Sequence, residues 1–261
     1  MISSEEFIVS VSGKEIYVRK MIPEGNTVTD PYLVFLHEGL GSITQWKDFP
    51  ERIAEACGTN VLLYDRLGYG RSADTDSVRK RDYLHLAAEV LNHLIRELSL
   101  KEYSLLGHSE GGSIALIHAS YHPEGLQKVI TLAANTCYED KMLSAIREVE
   151  KVYEQPGSKM KQALEKHHGK KTDAMFYAWS KIWTDPFFKV WNIGEEMKKI
   201  TVPVLAIHGE EDQYSSSLQT DLIKECIPPA RIVRIQQCSH HPHFDHAGEV
   251  TALICDFLKK S

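Results

Sequence analysis

Gly107-His108-Ser109-Glu110-Gly111 sets a serine between two glycines, directly after the apolar run Tyr103–Leu106 and directly before a helix-like stretch at Ser113–Tyr121. A GxSxG string is common by chance, so its flanks carry more information than its letters. Two glycines let a strand turn sharply into a helix without Cβ clashes, which leaves the serine oxygen exposed at the helix N-terminus. The same letters also suit a packing turn that needs glycine for steric reasons alone. A serine nucleophile requires a base to take its proton, and that base requires a carboxylate to hold its tautomer. Gly209-Glu210-Glu211-Asp212 follows the apolar run Val204–Ile207, and Cys238-Ser239-His240-His241-Pro242-His243 follows Arg231–Ile235. Each group stands just beyond a predicted strand, where ligands gather in open α/β sheets.

The elements that must bring these groups together are legible in the hydrophobic pattern. Glu6–Val11 and Ile16–Met21, separated by Ser12-Gly13-Lys14, predict an antiparallel hairpin. Tyr32–Leu36, Val61–Tyr64, Tyr103–Leu106 and Val129–Leu132 are apolar without alternation, as strands buried on both faces of a parallel sheet must be. Phe49–Cys57 and Tyr83–Leu98 between them have apolar residues three and four apart. From 135 to 199 the texture becomes polar and helix-like, with an aromatic concentration and the breaker Pro156-Gly157. Strand texture then returns at Val204–Ile207 and Arg231–Ile235, with helices at Leu218–Cys226 and Ala247–Lys260. The expected architecture is α/β: a mostly parallel sheet with helices on both faces, built from residues 1–134 and 200–261 and interrupted by a helical cap at 135–199.

Bulk properties exclude several classes. The chain has 261 residues, 43% hydrophobic and 25% charged, which is ordinary globular usage. A formal net charge of −6 with dispersed Lys and Arg provides no field for a polyphosphate backbone, so nucleic acid is not an expected partner. Glu5 and Glu6 stand where a signal peptide would need basic residues, and no apolar run reaches membrane-spanning length. A cytoplasmic protein without membrane contact is expected. Five cysteines with no CxxC pair predict reduced thiols rather than a disulfide framework.

Further strings complete a known pattern. His37-Glu38-Gly39-Leu40-Gly41 resembles the HGxxG oxyanion loop of the α/β-hydrolase superfamily, and Asp65-Arg66-Leu67-Gly68-Tyr69-Gly70-Arg71-Ser72 its DxRGxGxS segment. Val202-Pro203-Val204 leading into Gly209 and Asp212 is similar to the stretch before the family's acid, and Ser239-His240-His241-Pro242 to its GHxP with serine for glycine. The resemblance spans nearly the whole chain. It implies that Ser109 attacks, His240 accepts its proton and Asp212 orients His240, with Glu210 and Glu211 as neighbouring rivals for the acid. It also implies that the N–H groups of Gly39 and Glu110 stabilise the tetrahedral intermediate. Glu38 departs from the family's usual glycine, which leaves Leu40 as an alternative donor to Gly39. The implied reaction is cleavage of a small carboxylic ester or related acyl compound through an acyl-enzyme, without metal or organic cofactor. The same triad in relatives also serves C–C, amide and lactone hydrolysis and acyl transfer, and a low-turnover binding module is a further alternative. A small-molecule substrate is the expected partner, and monomer and homodimer stay open.

Other strings compete for attention. His241-Pro242-His243-Phe244-Asp245-His246 spells a zinc-like HxHxDH, but no histidine follows it to complete a ligand set. Gly68–Ala73 approximates a dinucleotide fingerprint without opening a helix, and reads better as a tight turn. Cys238 reads as a small buried residue rather than a nucleophile. Phe176, Trp179 and Trp183 share a helical face, with Phe187, Phe188 and Trp191 nearby. Glu38, Trp179, Trp183, Phe187 and Trp191 are therefore candidates to line a substrate pocket, although the aromatic residues serve equally to pack the cap.

Overall fold

Ser12 and Gly13 both adopt positive φ and close β1 (Ile2–Val11) against β2 (Lys14–Pro23), so the expected hairpin forms and runs longer than its apolar core. The computed structural model describes residues 1–75 and 79–260. β2 pairs antiparallel with β4 (Asn60–Tyr64), and from there the sheet is parallel. Its other strands are β3 (Tyr32–Leu36), β5 (Tyr103–His108), β6 (Leu126–Leu132), β7 (Val204–Gly209) and β8 (Arg231–Ile235). The order across the eight strands is β1-β2-β4-β3-β5-β6-β7-β8. Every residue of β3, β4, β5 and β7 is buried, which is why these strands read as unbroken apolar runs.

Successive residues of β3 feed opposite layers. Leu33 and Phe35 join the core under α1 (Phe49–Cys57) with Ile53, Ile254 and Phe257. Val34 and Leu36 join the core under α2 (Tyr83–Glu97), α3 (Glu110–Ser120) and α8 (Leu218–Cys226). α3 begins three residues before its apolar periodicity suggests. All of its residues are buried, so no polar face marks its first turn. Residues 135–199 contain α4 (Asp140–Glu154), α5 (Lys159–His168), α6 (Thr172–Thr184) and the short α7 (Gly194–Met197). Their aromatic residues pack on one another: Tyr153 stacks on Phe176 at 3.6 Å between centroids, and Phe188 on Trp191 at 5.4 Å. The short α9 (Pro242–Asp245) precedes α10 (Ala247–Lys259), which closes the chain on the α1 face. Among the described residues no helix is long and apolar enough to cross a membrane.

The expectation of wholly reduced thiols is corrected. Cys57 at the end of α1 and Cys255 within α10 form a disulfide, with Cα atoms 4.9 Å apart. The two helices lie side by side on one sheet face, and a separation of 198 residues conceals that adjacency in the sequence. Cys137, Cys226 and Cys238 are free. Thiol titration of unreduced, denatured protein should therefore find three reactive groups; five would remove the disulfide.

Candidate active site

Ser109 is forced into its position by the backbone. β5 ends at His108, the Ser109 N–H donates to the Leu132 carbonyl at 2.9 Å, and α3 starts at Glu110. Ser109 itself sits at φ +52°, ψ −120°, a conformation that side chains other than glycine rarely adopt. Gly111 lies so close to the Leu36 carbonyl that a Cβ there would collide with it. The GxSxG string thus forms the sharp strand-to-helix turn that its letters suggest.

Two loops bring the other groups to this turn. Asp212, buried after β7, holds His240 with 2.7 Å between its Oδ2 and Nδ1 of the imidazole. Asp212 is itself oriented by the Tyr214 N–H at 2.7 Å, the Ser215 N–H at 3.2 Å and the Ser215 hydroxyl at 3.2 Å. Burial raises the Asp212 carboxyl, yet the hydrogen bond from His240 and the neighbouring imidazoles outweigh it and bring its pKa down to about 2. An ionised Asp212 requires Nδ1 of His240 to carry the proton, leaving the Nε2 lone pair as an acceptor. Glu210 and Glu211, the rival acids, are exposed. Ser109 and His240 line one cavity of about 280 Å³ with Glu38, Gly39, Leu40, Trp179, Trp183 and Tyr214.

The His37–Gly41 loop is clamped by the Asp65–Ser72 segment. Asp65 accepts from the Ile43 and Arg71 N–H groups at 2.7 and 2.8 Å. Arg66 donates through Nη2 to the Glu38 carbonyl at 2.6 Å, and the Tyr69 hydroxyl donates to the Gly39 carbonyl at 2.9 Å. His37 accepts the Arg66 N–H at Nε2 and donates from Nδ1 to the Glu38 carbonyl. His168, the last residue of α5, accepts from the Gly70 N–H and donates to the Leu40 carbonyl, both at 3.0 Å. Gly68–Ala73 is accordingly a buttressing turn.

Glu110 supplies a second clamp. Its buried carboxylate meets Arg66 at 3.0 Å, Arg79 at 3.6 Å, the Tyr83 hydroxyl at 2.7 Å and the Trp183 indole N–H at 2.8 Å. Burial alone would raise its pKa, but the two guanidiniums and these hydrogen bonds bring it below the usual carboxylate range. As the first residue of α3, Glu110 also presents a backbone N–H that has no intrahelical acceptor.

The structure brings Glu38, Trp179 and Trp183 to the cavity but not the other two expected lining residues. Phe187 is 73% exposed, and Trp191 is buried against Trp183 and Phe188, where it packs the helical segment. A short proline-led turn carries both residues past the cavity wall. Asn135, Gln45 and Tyr214 line the cavity without any motif to mark them. Cys238 is fully buried, and burial pushes its thiol up to about 12, so it has no thiolate character.

Behind Glu38 and His241 lies a second cavity of about 300 Å³, walled by His37, His108, His167, His241 and His243. His108 stands 4.7 Å from His243 and 5.1 Å from His240 between ring centroids. Among the described residues no group of three or more His, Cys, Asp or Glu side chains is disposed to hold a metal. Burial lowers the pKa of His37, His108, His167, His241 and His243, which favours their neutral forms.

Fold and site together define an α/β-sheet protein that carries a serine on a strand-to-helix turn beside a histidine–aspartate pair. A model described as the alpha/beta hydrolase family matches residues 33–253. The chain is similar to serine hydrolase BPHL of Homo sapiens, 28% identical over 208 residues, covering 76% of this chain and 69% of that protein. It is also similar to proline iminopeptidase of Lactobacillus delbrueckii subsp. lactis, 25% identical over 263 residues, covering 87% and 89% of the two chains. It shares the fold of 2-hydroxy-6-oxo-6-phenylhexa-2,4-dienoate hydrolase from Rhodococcus sp. strain RHA1, with a TM-score of 0.80 at 14% identity over the full length of both chains. The chain belongs to the alpha/beta hydrolase family, and on that membership and these relatives it is a hydrolase.

Burial of so many neutral imidazoles has a consequence for acid stability. It lowers His118, His168 and His241 to about 4, and His108 and His243 well below the ordinary 6.5. Between pH 6.5 and 4 the unfolded chain binds protons that the native state refuses, so stability is complete above that window and falls through it. The slope is roughly 1.4 kcal/mol per pH unit for each such histidine. Urea unfolding at pH 7 and pH 5 should show the midpoint dropping; an unchanged midpoint contradicts the buried neutral rings.

Proposed function

We propose that the protein hydrolyses a small carboxylic ester or a related acyl compound through a covalent acyl-enzyme. Ser109 is the nucleophile, His240 the general base and Asp212 the residue that orients the imidazole. The observation that carries this reading is the 2.7 Å contact between Asp212 and His240 Nδ1, which aims Nε2 away from the acid while His240 and Ser109 line one cavity. Nε2 takes the Ser109 proton as the oxygen attacks the carbonyl carbon, then returns it to the leaving group. In the second half His240 deprotonates a water that attacks the acyl carbon, and Ser109 is regenerated. The N–H groups of Gly39 and Glu110 receive the developing oxyanion, each worth about 10²–10³ in rate where such a donor has been removed elsewhere. The Leu40 backbone faces the Glu38 carboxyl, which favours Gly39 over Leu40 for that role. Residues 135–199 act as the cap: Trp179 packs so closely on Gly39 that a Cβ there would collide with its indole. The scheme uses no metal and no organic cofactor.

The relatives include a proline iminopeptidase, so esters and amides of the same acyl group are both to be assayed. Ser109→Ala should abolish turnover of a short-chain aryl ester and stoichiometric labelling by a fluorophosphonate, with near-UV circular dichroism unchanged. Turnover at the wild-type rate in that variant sinks the assignment. Asp212→Asn should lower kcat by something like 10⁴ through loss of the productive tautomer; a loss below tenfold would transfer the role to another carboxylate.

A further inference from the structure

Two carboxyls stand near Ser109, and their circumstances differ. Glu110 is matched by two guanidiniums, a phenol and an indole. Glu38 has no such countercharge. Arg66, whose field reaches it, is committed to Glu110 and to the Glu38 carbonyl, and the Glu38 carboxyl pairs with no lysine or arginine among the described residues. Glu38 lines the adjoining cavity as well as the one that holds Ser109 and His240. Among the described residues that line this cavity, Glu38 is the one acid or base apart from the imidazoles of His240 and His241 and the phenol of Tyr214. Burial holds His241 neutral and keeps the Tyr214 phenol protonated.

A carboxyl held in a partly dry cavity without a cation is costly, and burial accordingly raises its pKa. A bound cation removes that cost. The cavity, about 280 Å³, has room for a small organic cation, and its lining includes the aromatic residues Trp179, Trp183 and Tyr214, a residue type that favours cations. Glu38 adjoins Gly39 in the loop that faces Ser109, and its field reaches both His240 and Tyr214.

We infer that Glu38 is a specificity-determining residue, an ammonium-binding subsite that selects substrates carrying a protonated amine close to the scissile carbonyl. This rests on the serine-hydrolase reading and narrows its substrate class to amino-acyl compounds. The carboxylate makes a charge-assisted hydrogen bond to the ammonium, of a kind that commonly changes affinity by about tenfold to hundredfold.

The test compares isosteres that differ only in an ammonium for a methyl. L-Alaninol and isobutanol are competed against fluorophosphonate labelling of the wild-type protein, and L-alaninol should protect Ser109 at least about tenfold better. L-Alanine ethyl ester and ethyl isobutyrate are then compared as substrates. The ratio of their kcat/KM values should fall at least about tenfold in Glu38→Gln, chiefly through KM of the amino ester, which cancels the intrinsic reactivity of the two esters. Equal protection by the two alcohols, or a ratio unmoved by Glu38→Gln, overturns the subsite. The two readings fail separately: a folded wild-type protein whose Ser109 resists labelling defeats the nucleophile assignment, whereas labelled protein indifferent to the amine defeats Glu38 alone.

Discussion

The backbone at Ser109 is the constraint from which the rest follows. A serine at φ +52°, ψ −120° carries strain of about 1–3 kcal/mol, which persists only where its surroundings leave no alternative. Here they leave none. β5 is locked between β3 and β6 by parallel ladders, the Ser109 N–H is held by Leu132, and Gly111 brings α3 against the end of β3. The sheet is thus the spring that keeps one hydroxyl facing a cavity, and the wholly buried α3 is its abutment.

The loops that complete the site are held by polar contacts in addition to apolar packing of Leu40, Ile43 and Tyr69. Arg66 and Arg79 face Glu110 in a dry environment where desolvation offsets much of the attraction. Such pairs are weak evidence for stability. Their effect here is geometric, because Arg66 reaches the Glu38 carbonyl with the same guanidinium that meets Glu110. Asp65 does likewise for Ile43 and Arg71, so that one loop fixes the shape of another.

Much of this was legible in the sequence for a physical reason. Strands buried on both faces must be apolar throughout, and a sharp turn after such a strand must contain small residues, so Tyr103–Gly111 displays its structure in its letters. Asp212 and His240 were legible because each follows a strand. What escaped were contacts between residues far apart in the chain and unmarked by periodicity. Trp183 meets Glu110 across 73 positions, and Tyr214 enters the cavity from a loop with no motif. The Cys57–Cys255 bridge was missed because redox expectation rested on cysteine count, and count is blind to the neighbourhood of α1 and α10. Phe187 and Trp191 were misplaced because aromatic clustering does not distinguish a segment's own core from a cavity wall.

The hydrogen bond from Trp183 to Glu110 joins α6 to the turn at Ser109. Any outward swing of α6 large enough to open the cavity must unlatch that indole from the carboxylate, leaving Glu110 to its two arginines and one tyrosine. The same residue begins α3 immediately after Ser109, so the first turn of that helix shares a side-chain contact with α6. One side chain thereby ties the helical segment at 135–199 to the turn that carries Ser109.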